Sequence, residues 1–313
     1  MAAMEIDKNK IRAGRLMRLS TFAAVSVASL LVIAKAIAWW LSGSVAMLGS
    51  MTDSSLDLMS SIVTMLAVKT ALRPADETHR FGHGKAEALA GLFQASIMSG
   101  FAIFLILESI QGLYRGDTIQ ASDWVIGSSL FAIVLTLALV LFQSYVVRQT
   151  KSLAIAGDHL HYKGDLLLNM GVIAAVFFAA QGFGWADGFF GLLIGAYIIH
   201  GAYSVARPSV DMLMDKELSV EDREKIFNLV MESPGVRGLH ELRTRSSGRD
   251  CFIQMHIEVD GDLTVHKAHF IGDEVEAILG EEFPDADILI HIDPPSELSA
   301  ILTTRELHDI ELN

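Results

Sequence analysis

The chain has a single cysteine, Cys251, in 313 residues. That excludes an intramolecular disulfide and a thiolate metal cluster, and it suits a reducing compartment. Charge is scarce too: 19% of residues are charged and 51% are apolar, with a mean hydropathy of +0.41. Soluble proteins carry more charge than this, so the composition points to an integral membrane protein. The scarcity is uneven. From Pro208 onward 24 residues are acidic and only 9 basic, so this stretch carries −15 and everything before it +2, within a total of −13. An acidic tail argues against nucleic acid as a partner and attracts cations.

Six apolar windows of about 20 residues or more follow one another, near 18–42, 44–72, 87–113, 122–147, 152–181 and 186–206. Each is long enough for a hydrocarbon core of ~30 Å. The first follows Lys8, Lys10, Arg12, Arg15 and Arg18. It lacks the small-residue cleavage site of a signal peptide and is long enough to span, so it reads as the first helix. After Arg207 no long apolar run occurs.

Alternate loops lack basic residues. Lys69, Arg73, Arg80, Lys85, Arg148, Lys151 and Arg207 fall on the side of the N-terminus, and only Arg115 on the other. This bias predicts that both termini and the acidic tail are cytoplasmic. The predicted domains are an N-terminal segment (1–17), a six-helix transmembrane domain (18–207), a cytoplasmic domain (208–296) and a C-terminal tail (297–313), the last without a clear fold signal.

The cytoplasmic stretch predicts an α-β-β-α-β order. SVEDREKIFNLVMES opens on Ser219 as an N-cap, with Glu221 and Asp222 in the first turn. GLHELRTR and CFIQMHIEV alternate as half-buried strands, with a turn at Ser247-Gly248. TVHKAHFIGDEVEAIL is a second helix capped by Thr264, and ADILIHID a last strand ended by Pro294-Pro295. The expectation is a small α+β sandwich with both helices on one sheet face.

Two of the apolar windows contain charge where charge is expensive. The second includes SMTDSSLDLMSS, with Asp53 and Asp57 four apart; the fifth includes GDHLHYKGDLLL, with His161 and Asp165 four apart. Residues at that spacing share a helix face. Counted from opposite ends at 1.5 Å per residue, both pairs lie roughly 13–20 Å into the bilayer, so they meet at one depth. Three carboxylates and one imidazole suit a tetrahedral divalent-metal site such as zinc occupies, and ionisable groups inside a membrane usually line a pathway. Asp158 and Lys163 lie nearer the cytoplasmic end and read as a solvated mouth.

The DxxxD string of the second window, the HYxxD string of the fifth, the loop RPADETHRFGHGKAEALAG and the αββαβ tail together resemble the cation diffusion facilitator family, from about residue 15 to 295. The resemblance implies a homodimer in a bacterial cytoplasmic (inner) membrane. Each protomer would be an α-helical integral membrane protein with six transmembrane helices and a ferredoxin-like, metallochaperone-like cytoplasmic α+β domain. It would export Zn²⁺ first, with Fe²⁺, Cd²⁺ or Mn²⁺ as further substrates, in exchange for protons. By the same resemblance Asp76, His79 and His83 form a loop metal site. His240, His256, His269, His291 and Asp293 form a binuclear site where two tails meet and sense cytoplasmic metal, and Lys85 with Asp215 forms a charge interlock. On residue pattern alone, His269 falls on the apolar stripe of the second tail helix, with Val265, Gly272 and Leu279.

Two other classes fit less well. An intramembrane aspartyl protease or lipid phosphotransferase would need a GxGD pair or a DGxxAR string, and neither occurs. A metal sensor built on the tail alone leaves four ligand groups at the bilayer midplane unexplained.

Overall fold

The computed structural model describes residues 2–42, 45–115, 123–183, 185–284, 286–295, 301, 303 and 304. It divides into two compact units, Ile11–Val210 on the one hand and Met1–Lys10 with Asp211–Asn313 on the other. Six long helices come first: α1 (Ala2–Ser42), α2 (Val45–Ala71), α3 (Lys85–Arg115), α4 (Asp123–Thr150), α5 (Leu153–Ala180) and α6 (Ala186–Leu213). The tail follows as α7 (Val220–Met231), β1 (Gly238–Ser247), β2 (Asp250–Glu258), α8 (Val265–Glu282) and β3 (Ala286–Asp293), which is the α-β-β-α-β order expected. The loss of hydropathy at Arg207 does not end a helix: α6 runs through Pro208 to Leu213. Helicity here outlasts apolarity. Residues 297–313, left without a fold signal, lie almost wholly outside the described residues.

Among the described residues, α1, α3, α4 and α6 contain stretches long and apolar enough to cross a membrane, Ile11–Ile37, Lys85–Leu113, Leu130–Thr150 and Ala186–Leu213. Composition thus supports four spans, not the six expected. The two helices left out, α2 and α5, are the ones that carry Asp53, Asp57, Asp158, His161, Lys163 and Asp165. Large apolar side chains such as Phe22, Leu56, Phe104 and Leu141 face outward. An apolar exterior of that extent fits lipid rather than water. The interior is built where α3, α5 and α6 meet, through Ala95, Met98, Leu160, Ile194, Ile198 and Ala202. Close approach depends on small residues: a Cβ at Gly91 of α3 would lie 3.0 Å from the Leu153 carbonyl oxygen of α5. α5 packs heavily on α3 and α4 and only lightly on α2.

In the tail, β1 and β2 are antiparallel and β2 and β3 parallel, in the order β1-β2-β3. Ile226 and Val230 of α7 and Val275 and Leu279 of α8 bury against Leu239, Ile253, Met255 and Ile257 of the sheet. Both expected caps are present: Ser219 Oγ accepts from the Asp222 amide, and Thr264 Oγ1 from the Lys267 amide. A bulge shifts the β1–β2 register between His240 and Arg243, where Glu241 has φ 51°.

Candidate metal centres

Among the described residues the structure gathers three clusters of ligand-bearing side chains, each with its ligand atoms within 4.8 Å of one another. The first joins Asp57 of α2 to His161 and Asp165 of α5. His161 Nε2 lies 2.9 Å from Asp57 Oδ1 and 3.6 Å from Asp165 Oδ2, and its Nδ1 lies 3.2 Å from Met98 Sδ. All three ligand residues are half-buried. One α-helical turn explains the His161–Asp165 pair, but Asp57 comes from a separate helix. Asp53, expected in the same set, is exposed and lies outside the cluster. Asp53 stands some 6 Å along the axis of α2 from Asp57, and the four-residue spacing that joins His161 to Asp165 does not by itself bring Asp53 to the imidazole.

The second cluster is Asp76, His79 and His83 in the loop between α2 and α3. Asp76 Oδ1 accepts from the backbone N–H groups of His79 (2.7 Å) and Thr78 (2.9 Å) and from the Thr78 hydroxyl (2.8 Å). The other carboxylate oxygen lies 3.4 Å from His83 Nε2. The His79 amide, followed by the Thr78 hydroxyl, holds the Asp76 carboxyl well below the ordinary carboxylate range. One oxygen therefore shapes the turn while the other remains directed at His83. The two histidine rings stand 4.5 Å apart between centroids.

The third cluster, His240, His256 and Asp293, lies in the tail, where His240, His256 and His291, the last beside the cluster and not in it, occupy matched positions on β1, β2 and β3. Register sets three imidazoles in one row. Asp293 completes it: Oδ2 is 2.9 Å from His256 Nδ1 and 3.6 Å from His240 Nε2, and Oδ1 is 3.1 Å from His291 Nε2. Burial raises the Asp293 carboxyl, but the hydrogen bond from His256 and the charges of His291, His256 and His240 outweigh it and hold it below its usual value. His269 is not in this cluster. It is 72% exposed and faces Asp273 at 3.6 Å, because the buried stripe of α8 runs through Gly272, Val275 and Leu279 and leaves both His269 and Val265 outside. Lys85 opens α3 in one compact unit, whereas Asp215 belongs to the other and pairs with Arg245 at 3.2 Å.

Comparison with known proteins places the chain in a family. The family profile "Cation efflux transmembrane domain" matches residues 21–214, and "Cation efflux protein, cytoplasmic domain" matches residues 218–295. The chain belongs to the cation efflux, or cation diffusion facilitator, family. It is 43% identical over 287 residues to the cation-efflux pump FieF of Klebsiella pneumoniae, covering 92% of this chain and 96% of that one. It is 42% identical over 282 residues to FieF of Serratia proteamaculans, covering 90% and 94%. Among solved structures, CzrB in its zinc form matches 26% of this chain and 96% of its own at 34% identity, with a TM-score of 0.26. This cation efflux protein is a membrane transporter and not an enzyme.

Several polar residues around the centres were not singled out by sequence. Lys35 of α1 donates to Ser54 Oγ at 2.7 Å, beside Asp53. Met98 brings a thioether to His161. Glu258, buried within β2, places a carboxylate oxygen 3.3 Å from His240 Nε2. A lysine inside an apolar helix is a legible signal; a glutamate in an alternating strand is not. Asp158, expected in a solvated mouth, is 1% exposed. Its partners come from α2 and α4, which the sequence around Asp158 does not reveal.

Proposed function

We propose that this chain exports a divalent metal, zinc first and Fe²⁺, Cd²⁺ and Mn²⁺ as further substrates, in exchange for protons. The observation that carries the reading is the convergence of Asp57, His161 and Asp165 from two helices on one point inside an apolar helical unit. Two carboxylates and an imidazole suit zinc, and Asp53 joins them as a fourth ligand when metal is bound. In this reading α2 and α5 also span the bilayer, giving six spans with both termini in the cytoplasm of a bacterium and the inner membrane as the site of action.

Charge counting supports exchange with protons. Fully ionised, Asp53, Asp57 and Asp165 place −3 within the membrane, which is expensive, so at least one group holds a proton when metal is absent. A divalent ion leaves −1 and expels those protons. Moving two positive charges outward against ~100 mV, inside negative, costs about 4.6 kcal/mol, and each proton moving inward returns about 2.3 kcal/mol. Two protons balance the electrical work, and a pH gradient adds to the drive. The tail then acts as a sensor. His269 stands clear of its own cluster, available to a second tail, so a homodimer brings it to the row of its partner. The test is zinc flux in reconstituted vesicles with a proton gradient imposed opposite to the metal's path. Flux that follows the gradient supports the proposal, and flux indifferent to it, at fixed pH on the loading side, leaves a uniporter.

A further inference from the structure

We propose that Asp158 is a proton-carrying group separate from the metal ligands, and that its protonated carboxyl closes a clamp joining α5 to α1, α2 and α4. Asp158 Oδ1 is 3.1 Å from Ser61 Oγ of α2, and Oδ2 accepts from Gln143 Nε2 of α4 at 2.7 Å. Ser61 Oγ is in turn 2.8 Å from the hydroxyl of Tyr162, which lies 3.3 Å from the Ala24 carbonyl oxygen of α1. Asp158, Ser61, Gln143 and Tyr162 are each no more than 1% exposed.

The hydrogens in this chain can be counted. Three oxygen–oxygen contacts run in series, Asp158 to Ser61, Ser61 to Tyr162 and Tyr162 to Ala24. The serine and tyrosine hydroxyls supply two hydrogens, and the Ala24 carbonyl supplies none. With Asp158 ionised, one of the three contacts has no hydrogen in it. With Asp158 protonated, all three are filled in a single direction: carboxyl to Ser61, Ser61 to Tyr162, Tyr162 to Ala24. The surroundings favour the same form. Both hydrogen-bond partners of the carboxyl are neutral, and an ionised carboxylate buried to this degree requires a cation or several strong donors. His161, which acts on Asp158 from one turn along α5, directs its Nε2 to Asp57 and Asp165 and its Nδ1 to Met98. The titratable groups that act on Asp158 are His161, Tyr162 and Asp165 on its own helix and Asp57 on α2; α1 and α4 present the Ala24 carbonyl and the Gln143 amide.

Loss of that proton has a structural consequence. Two hydrogens then serve three contacts, Tyr162 turns to Ser61, and the longest link, to Ala24, opens between α5 and α1. Asp158 lies one turn, about 4.5 Å along the axis, from His161. If the metal site is read correctly, a divalent ion there favours the ionised carboxyl and opens this link. That step alone rests on the proposed function.

The test is infrared spectroscopy of the full chain, metal-free, in lipid nanodiscs at neutral pH. Asp158→Asn keeps both hydrogen bonds, since its amide donates to Ser61 and accepts from Gln143, but carries no titratable proton. The expected result is a protonated-carboxyl C=O band in the wild type that loses the intensity of one carboxyl in Asp158→Asn. Tyr162→Phe, which retains the carboxyl, shifts that band because Ser61 loses its acceptor. A band equal in wild type and Asp158→Asn overturns the proposal, and so does a band unmoved by Tyr162→Phe. Both comparisons are made without metal, so failure of zinc to bind or move leaves them decisive.

Discussion

The membrane cluster and the tail cluster use the same ligand chemistry on opposite scaffolds. In the tail, His240, His256 and His291 are held in line by the hydrogen-bonded register of three strands. A ladder of that kind fixes the row before any metal arrives. In the membrane unit Asp57 comes from α2, and His161 and Asp165 from α5, two helices that share only light packing. No backbone ladder joins them, so the two halves of the ligand set can separate as helices shift. A carrier must bind and then release, whereas a sensor needs a site that stays formed; the two scaffolds suit those two tasks.

The largest effect should come from removing a ligand on the movable scaffold. Asp57→Ala or His161→Ala is expected to lower zinc flux in reconstituted vesicles by about a hundredfold or more, since even changes behind the ligands cost 10- to 100-fold. Zinc binding by the tail should persist in the same preparations. Full flux in either variant breaks the comparison, because the membrane cluster would then be dispensable. Next in size is a change of preference. His161→Asp leaves only carboxylates, which suit Mn²⁺ or Mg²⁺ better than zinc, so competing-ion flux should move away from zinc. Unchanged relative fluxes would show that the imidazole does not set selectivity.

How far these centres were legible in the sequence depends on which contacts are local. His161 and Asp165 are one turn apart, and helical periodicity alone places them together. Asp57 is reached by matching depth across two helices; in the structure it lies 2.9 Å from His161, and Asp53 lies outside the cluster. Asp158 was misread because its burial depends on Ser61 and Gln143, 97 and 15 residues away. In the tail, strand alternation gave the elements, but it could not give the register that lines up three histidines, nor the bulge at Glu241. His269 shows the limit of a short amphipathic helix: a shift of one position in assigning the buried stripe of α8 moves it from inside to 72% exposed.

A smaller effect is expected at the fixed scaffold. His256 occupies the centre of the row and is only half-buried, so His256→Ala should leave the tail folded while lowering its zinc affinity about tenfold or more. Transport should continue. The distance between spin labels on the two tails of a dimer, titrated with zinc, should change in the wild type and stay constant in the variant. A variant that still responds would place sensing elsewhere, and loss of flux would show that the two scaffolds are not separable in function.

The smallest effect concerns the loop, which is neither ladder nor helix pair. Its order rests on one exposed carboxylate, Asp76, accepting from two backbone amides and a hydroxyl. That carboxyl is held below the ordinary range, chiefly by the His79 amide. The folded form therefore binds protons less readily than the unfolded one, and the stabilisation is fully present above the usual carboxylate pKa of about 3.9. It is lost only as pH falls through the lower, folded value. Hydrogen exchange at the Thr78 and His79 amides, corrected for intrinsic rates, should thus show constant protection from pH 7 down to about 4. Asp76→Ala should abolish that protection while changing global stability little, because the turn is solvent-exposed. Protection that declines between pH 7 and 5 would mean that the neighbouring histidines, and not Asp76, order the loop.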